Sequence, residues 1–343
     1  MARVVMVTGV SRYLGGRLAQ LLQAHPDVAR VIGVDVVAPK QDLGAAEFVR
    51  ADIRNPVVGT VIASAEVDTV VHMAVLATPQ DAGGRAAMKE INVIGTMQLL
   101  AACQKTPSVA KLVVKSSTAV YGSSAQDPAL FTEDLEPNAL ARTGYAKDSI
   151  EVEGYVRGFS RRRPDVTVTT LRFANFVGPG VTTPMTRYFG LPVVPTVLGF
   201  DPRLQFVHER DGLELLCQTT LQDHPGTFNV AGDGVMTLIQ AIRRAGRPAL
   251  PLPPPAAPLI GQALRRLGVA DFSMEQLRFL TYGRVVDTTR MRAELGFTPR
   301  YGTRAAFDDF VEGQGLRGPL SEETVTAVER AVLDVLARGH SHG

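Results

Sequence analysis

Apolar positions in the first half of the chain fall into two kinds of run that alternate. Val4 to Val7, Val31 to Asp35, Thr69 to His72, Leu112 to Ser116 and Val166 to Leu171 are short, mostly apolar and rich in β-branched residues. Strands buried on both faces of a parallel sheet have this pattern. Between them lie longer stretches with helical spacing, such as Leu14 to Ala24 and Ile91 to Cys103. The alternation predicts an α/β fold, a Rossmann-type doubly wound parallel sheet of about six or seven strands.

After Asn175 the pattern changes. Gly178-Pro179-Gly180, Leu191-Pro192 and the run from Pro248 to Pro258 bring turns and extended segments. Three parts are expected: a first α/β domain over 1–174, a smaller α/β lobe over 175–320 that returns a segment to the first domain, and a C-terminal helix and tail over 321–343. In that last helix Val325, Val328, Val332 and Val335 share a stripe, and Gly339 stops it. Pro253-Pro254-Pro255 reads as a stiff connector rather than a partner-binding segment.

Composition narrows the classes. The 343 residues carry a formal charge of +2, so no basic field favours nucleic acid, and Arg161-Arg162-Arg163 reads as a solvated helix end. No apolar run approaches the ~18 residues of a membrane span. The N-terminus enters a strand-like run without a signal-peptide pattern, so a cytoplasmic protein is expected. The two cysteines, Cys103 and Cys217, sit in apolar helical patterns and read as buried hydrophobes. No metal is expected; His340 and His342 are too few and too terminal.

The chemistry begins at Thr8-Gly9 and Gly15, where a first strand passes into a first helix. Free backbone N–H groups and the helix dipole suit a pyrophosphate there. Asp35 ends the second strand about 20 residues on, where a carboxylate accepts hydrogen bonds from ribose hydroxyls and repels a 2′-phosphate. NAD is therefore favoured over NADP, although Ser11-Arg12 points the other way. Arg12 either turns away from the pyrophosphate or reaches over it as a bidentate donor.

With these, Ala51-Asp52-Ile53-Arg54, Val71-His72-Met73-Ala74, Asn92-x-x-Gly95-Thr96, Ser116-Ser117-Thr118-Ala119-Val120-Tyr121-Gly122 and Leu171-Arg172-Phe173-Ala174-Asn175 follow in order. Together they resemble the extended short-chain dehydrogenase/reductases, the NAD-dependent epimerase/dehydratase family typified by UDP-galactose 4-epimerase. Later segments, from Gly199 to His208, Gly226 to Val230 and Asp287 to Pro299, extend the likeness over about the first 300 residues.

The resemblance implies roles. Gly9, Arg12, Tyr13, Leu14 and Gly15 would line the pyrophosphate, Asp52 and Ile53 the adenine, and Met73, Ala74 and Val75 would pass beneath the cofactor. Ser116, Phe173 and Lys147 are also expected at NAD. Asn92 would tie a helix to the neighbouring strand, and His72 would pack at a strand end. Ser117 would steady a substrate hydroxyl, and Asn175 would contact a nucleotide-sugar diphosphate. Arg203 would pair that diphosphate, or else Asp201 or Asp211; Arg284 and Arg187 are further candidates. A homodimer through the helices at 91–103 and 147–156 is implied as well.

One letter departs from the family pattern, which places a Tyr four residues before an essential Lys. With Lys147 as that Lys, the position holds Thr143, whose aliphatic hydroxyl cannot serve as the acid/base. Tyr145, in a continuous helix, would lie about 200° from position 143 and point away. Gly144 could unwind the turn and re-aim the ring. Otherwise Tyr188 or the substrate relays the proton, or the site does little chemistry. Thr118-Ala119 lacks the Asp-Glu pair of the 4,6-dehydratases. The reading is thus an NAD-dependent oxidoreductase or epimerase acting on a nucleotide sugar or similar secondary alcohol, with an atypical active site. The alternative is an NAD-binding regulatory or interaction module with little turnover.

Overall fold

Strand and helix alternate through the first half as the apolar runs require. The order is β1 (Arg3–Thr8), α1 (Tyr13–Gln23), β2 (Val28–Asp35), β3 (Glu47–Arg50), α2 (Val57–Ser64), β4 (Thr69–His72), α3 (Arg85–Lys89), α4 (Thr96–Lys105), β5 (Lys111–Ser117), α5 (Gly144–Arg162) and β6 (Thr167–Phe173). The structure, a computed structural model, describes residues 2–77, 82–136, 144–254 and 273–316. Thr143, Pro255 and Pro258, and the stripe and stop expected between Val325 and Gly339, lie outside the described residues.

The second half supplies β7 (Asn175–Val177), α6 (Pro184–Phe189), β8 (Val194–Val197), β9 (Arg203–Leu204), β10 (Phe206–His208), α7 (Glu209–Leu221), β11 (Gly226–Val230), β12 (Met236–Thr237), α8 (Leu238–Arg244), β13 (Ala249–Leu252), α9 (Met274–Tyr282), α10 (Thr289–Leu295) and α11 (Thr303–Gly313). Among the described residues the main sheet has seven strands in the order β11-β6-β5-β4-β1-β2-β3. Every pairing in it is parallel. The segment returned from the second half is β11, which lies against β6 with Phe228 opposite Leu171.

Alternate residues of each strand face opposite layers, and both layers are apolar. Val5 and Val7 of β1 join Leu18 and Leu22 of α1, Val113 of β5 and Leu216 of α7 on one face. Met6 turns to the other face with Val58, Leu99, Val114 and Val156. The smaller lobe has its own core, where Phe189, Phe206 and Phe307 meet with ring centroids 4.9 and 5.4 Å apart. Within the proline-rich run, Ala249–Leu252 is a strand and pairs in parallel with Val194–Val197. The Arg161–Arg163 end is only partly solvated: Arg163 is pinned to Asp165 at 2.7 Å and donates to the carbonyl of Val109 at 3.0 Å. Cys103 and Cys217 are unpaired, and burial pushes both thiols up to about 12. No described helix is long and apolar enough to cross a membrane.

Beneath the strand ends, a buried polar network joins β5, β6, β11 and α5. Arg172 pairs with Glu153 at 2.7 Å, both almost wholly enclosed. Ser116 donates to Glu153 at 2.6 Å, Arg172 to the Tyr121 hydroxyl at 2.8 Å, and Tyr121 to Asn229 at 2.8 Å. Removing one ion of a buried pair strands the other and costs roughly 3–5 kcal/mol, whereas replacing both is far cheaper. Arg172→Met should therefore lower unfolding stability by about that amount, with Arg172→Met/Glu153→Leu recovering most of it. Denaturant titration checks this; a double variant as unstable as the single one would contradict it.

Candidate active site

Two glycines shape the turn between β1 and α1. Gly9 has φ +80°, and a side chain there would meet the Ala74 backbone at 3.0 Å. A Cβ on Gly15 would stand 2.2 Å from the Gly9 carbonyl oxygen, so only glycine permits this approach. Arg12 is the N-cap of α1 and no side chain caps the helix there. This uncapped helix start above a glycine cradle is what a dinucleotide pyrophosphate requires, so the residues present fit the cofactor.

Asp35 closes β2 beside that turn. One of its oxygens accepts from the Ser11 amide at 3.0 Å and hydroxyl at 2.6 Å, the other from the Val36 amide at 2.8 Å. The Ser11 hydroxyl is thereby engaged by Asp35, whose carboxylate would repel a 2′-phosphate. Asp52 is held by Arg54, from Nη2 at 2.6 Å, which keeps its carboxyl below the usual range. Ile53 packs under Gly95, where an added Cβ would sit 2.8 Å from its side chain. Met73 and Val75 are buried, and the Met73 and Ala74 amides donate to the Thr8 hydroxyl at 3.1 and 3.3 Å.

Several expected side chains are occupied elsewhere. Tyr13 turns its phenol to Glu209 at 2.8 Å; burial, then that carboxylate, raises it to about 12. Leu14 packs against the core and Phe173 is buried against Phe176 at 4.8 Å. The Ser116 hydroxyl faces Glu153, on the opposite side of β5 from Ser117. Asn92 ties its helix to the segment after β4, accepting from the Leu76 amide at 2.7 Å and donating to its carbonyl at 2.9 Å. His72 is walled in between the Thr8 and Thr96 hydroxyls at 2.9 and 2.8 Å, and burial lowers it to about 4.

The proton-transfer end differs from the helical extrapolation. α5 begins at Gly144, whose φ is +88°, so the turn that carries Tyr145 opens on left-handed rather than helical backbone. The Tyr145 phenol lies near the Ser117 and Ser149 hydroxyls instead of turning away, while the Ser149 hydroxyl itself donates to the Tyr145 carbonyl at 2.9 Å. Ser149 lies one turn beyond Tyr145, about 40° around the axis, while Lys147 lies about 200° around. The Lys147 ammonium is 3.7 Å from Glu151 and its side chain is 40% exposed, so it is not brought to the Tyr145–Ser117 pair. Burial raises the phenol first; the Ser117 and Ser149 hydrogen bonds and the Arg284 charge oppose this, and Glu275 adds to it.

Arg284 and Glu275 complete the cluster from the smaller lobe. Arg284 donates to the Gly122 carbonyl at 2.7 Å and to Ser123 at 3.1 Å, stacks on Phe279 at 5.1 Å, and burial lowers it to about 10. Glu275 accepts from the Ala146 amide at 3.1 Å. Arg284 had a sequence signal only as a possible substrate arginine; Glu275 had none. Tyr188, the other phenol considered, is fully buried and donates to the Pro195 carbonyl at 2.8 Å, so it has no route to the site. Asn175 is half-buried at the start of β7. Arg203 donates to the Ala129 carbonyl at 3.0 Å, while Asp201 and Asp211 instead accept from the backbone amides of Ile239 and of Arg300 and Tyr301. Among the described residues no cluster suited to a metal occurs.

Glycine turn and ribose-side carboxylate at the strand ends of a parallel sheet together define a dinucleotide-binding α/β protein. The chain belongs to the NAD dependent epimerase/dehydratase family, whose sequence model matches residues 5–231. An uncharacterized protein of Mycobacterium tuberculosis is 49% identical over 335 residues, spanning 96% of this chain and 89% of its own. UDP-glucose 4-epimerase 2 of Oryza sativa subsp. japonica is 32% identical over 196 residues, 51% of this chain and 45% of its own. Among solved structures, UDP-glucose 4-epimerase of Thermotoga maritima with UDP-glucose aligns at TM-score 0.69 and 19% identity, over 90% of this chain and 98% of its own. A UDP-glucuronic acid 4-epimerase variant from Bacillus cereus, bound to NAD and a fluorinated UDP-glucuronic acid, aligns at 0.70 and 17%, over 91% and 99%.

Two expectations follow. Asp35→Ala should weaken NAD binding about tenfold or more and leave NADP little changed, narrowing the preference by calorimetric titration. An unfolded histidine binds its proton near 6.5, buried His72 only near 4. The unfolded state therefore holds more protons between these values, so stability is full above about 6.5 and falls as pH drops toward 4. The loss reaches roughly 3 kcal/mol. His72→Gln should flatten that stretch of the stability–pH curve; an unchanged slope would contradict the assignment.

Proposed function

We propose that the protein is an NAD-dependent oxidoreductase or epimerase acting on a nucleotide sugar or a similar secondary alcohol, with Tyr145 as its acid/base. The observation that carries this is the convergence of the Tyr145 phenol with Ser117 at the C-terminal end of β5. Active sites of open α/β sheets lie at this end of the strands. A bound NAD would supply reversible hydride acceptance at the substrate's carbinol carbon. Ser117 holds the reacting hydroxyl in line, and the ionised phenol accepts its proton.

An ionised phenol needs a positive neighbour. Lys147 was the expected one, but it faces Glu151. Counted from Tyr145, the fourth residue on is Ser149 rather than a lysine. Arg284, half-buried, is the positive group that opposes the rise burial imposes on Tyr145, against a larger contribution in the other direction from Glu275. The serine at position 149 also favours the second reading, a cofactor-binding module with little turnover. A nucleotide sugar as substrate is supported by the UDP-glucose 4-epimerase relative and by the sugar nucleotides bound in structurally similar proteins. Asn175 and Arg203 are the proposed contacts to its diphosphate. The proposed homodimer would pair through the face on which Ile94 of the π-turn Glu90–Gly95 and Tyr155 of α5 are exposed.

Interconversion of UDP-sugars by the purified protein tests the assignment. Tyr145→Phe should cut the rate about 100-fold or more, while Lys147→Met changes it only a few-fold. Thr143→Tyr should give no gain. Activity that arises only in Thr143→Tyr would establish the binding module, and an undiminished Tyr145→Phe rate would remove Tyr145 from the mechanism.

A further inference from the structure

Lys115 lies two residues before Ser117 on β5 and therefore on the same face of the sheet. That face packs against the first helix: Val113, two residues earlier, shares a cluster with Val10 and Leu18. The Lys115 ammonium sits 5.9 Å from the Phe176 ring centroid, which places it beside the start of the smaller lobe. Its other charged neighbours are Arg12 of the β1–α1 turn and His72 at the end of β4, both of which it meets as like or potentially like charges. Among the described residues no carboxylate and no hydrogen-bond acceptor reaches it.

A half-buried ammonium without an anion is costly, and a second cation beside it adds to the cost. Burial, then the Arg12 charge, holds the amine down to about 8. The cost vanishes if an anion occupies the gap between the two cations. Arg12 belongs to the same turn as the Gly9–Gly15 cradle and stands at the uncapped start of α1, where the dinucleotide pyrophosphate is expected.

We propose that Lys115 is a binding residue for the cofactor pyrophosphate, closing on it from the sheet side while Arg12 covers it from the turn. Two cations then face its two negative charges, and the charged amine is stabilised only in the occupied site. The inference rests on the family's cofactor but adds a contact that the glycine turn does not supply. It also gives Lys115 no part in proton transfer, which stays with Tyr145.

The probes are NAD, ADP-ribose, which keeps the pyrophosphate but lacks nicotinamide, and adenosine, which lacks both. Calorimetric titration of the full chain should show Lys115→Met losing about tenfold or more for NAD and ADP-ribose alike, with adenosine unchanged. Lys115→Arg should retain most of the affinity. Without ligand, Lys115→Met should melt no lower than the native protein, because it removes an uncompensated cation. Unchanged ADP-ribose affinity in Lys115→Met would overturn the proposal, as would an equal loss for adenosine. If only NAD weakens, Lys115 acts at the nicotinamide instead and the pyrophosphate assignment fails. Failure of the native protein to bind either dinucleotide would remove the cofactor reading itself, and this proposal with it.

Discussion

The ion pair between Arg172 and Glu153 fixes the geometry on which the site depends. Glu153 lies in the middle of α5 and Arg172 near the end of β6, both almost wholly out of water. An isolated charge there would be intolerable, so each holds the other in place. The pair also collects Ser116 of β5, Tyr121 of the turn that follows, and through Tyr121 the Asn229 amide of β11. One buried charge network thus sets the distance between α5 and three neighbouring strands. Tyr145 and Ser117 lie on two of the elements so joined.

The start of α5 is fastened separately. Asp148, fully buried, is held by Arg85 at the start of α3 and by Asn92 from the π-turn before α4. Glu275 of α9 accepts from the Ala146 amide, so the smaller lobe stabilises the first turn of the helix that carries the phenol. Arg284 follows α9 closely and reaches back to Gly122 and Ser123 beyond Ser117. The cluster around Tyr145 is therefore completed by the second half of the chain, and its electrostatics change if the lobe shifts.

Much of this was legible in the residues. Strands buried on both faces have an apolar signature, and β1, β2, β4, β5 and β6 fell where it placed them. Gly9, Gly15 and Asp35 stood out because their roles follow from backbone approach and charge. The edge strand β3 was not foreseen: Glu47-Phe48-Val49-Arg50 is only half-buried and lacks the signature. The pairing of β11 with β6 was hidden by the long stretch of chain between them. Tyr145 was expected to point away because a continuous helix was assumed, and the left-handed backbone of Gly144 breaks that assumption. Arg284 and Glu275 come from distant sequence, so no local spacing could connect them to the phenol. Lys115, by contrast, was within reach of a period-two reading of β5 from Ser117.

In the proposed reaction, proton transfer to Tyr145 accompanies hydride transfer at the cofactor, and the absorbance of reduced nicotinamide reports the second directly. The most direct measurement loads the native protein with NAD, mixes it with a UDP-sugar and follows that absorbance over a single turnover. A rise to reduced cofactor that appears with the native phenol and disappears in Tyr145→Phe is the predicted result. NAD bound tightly, with no reduced nicotinamide formed from any UDP-sugar or comparable secondary alcohol, would contradict an active site built on Tyr145 and Ser117.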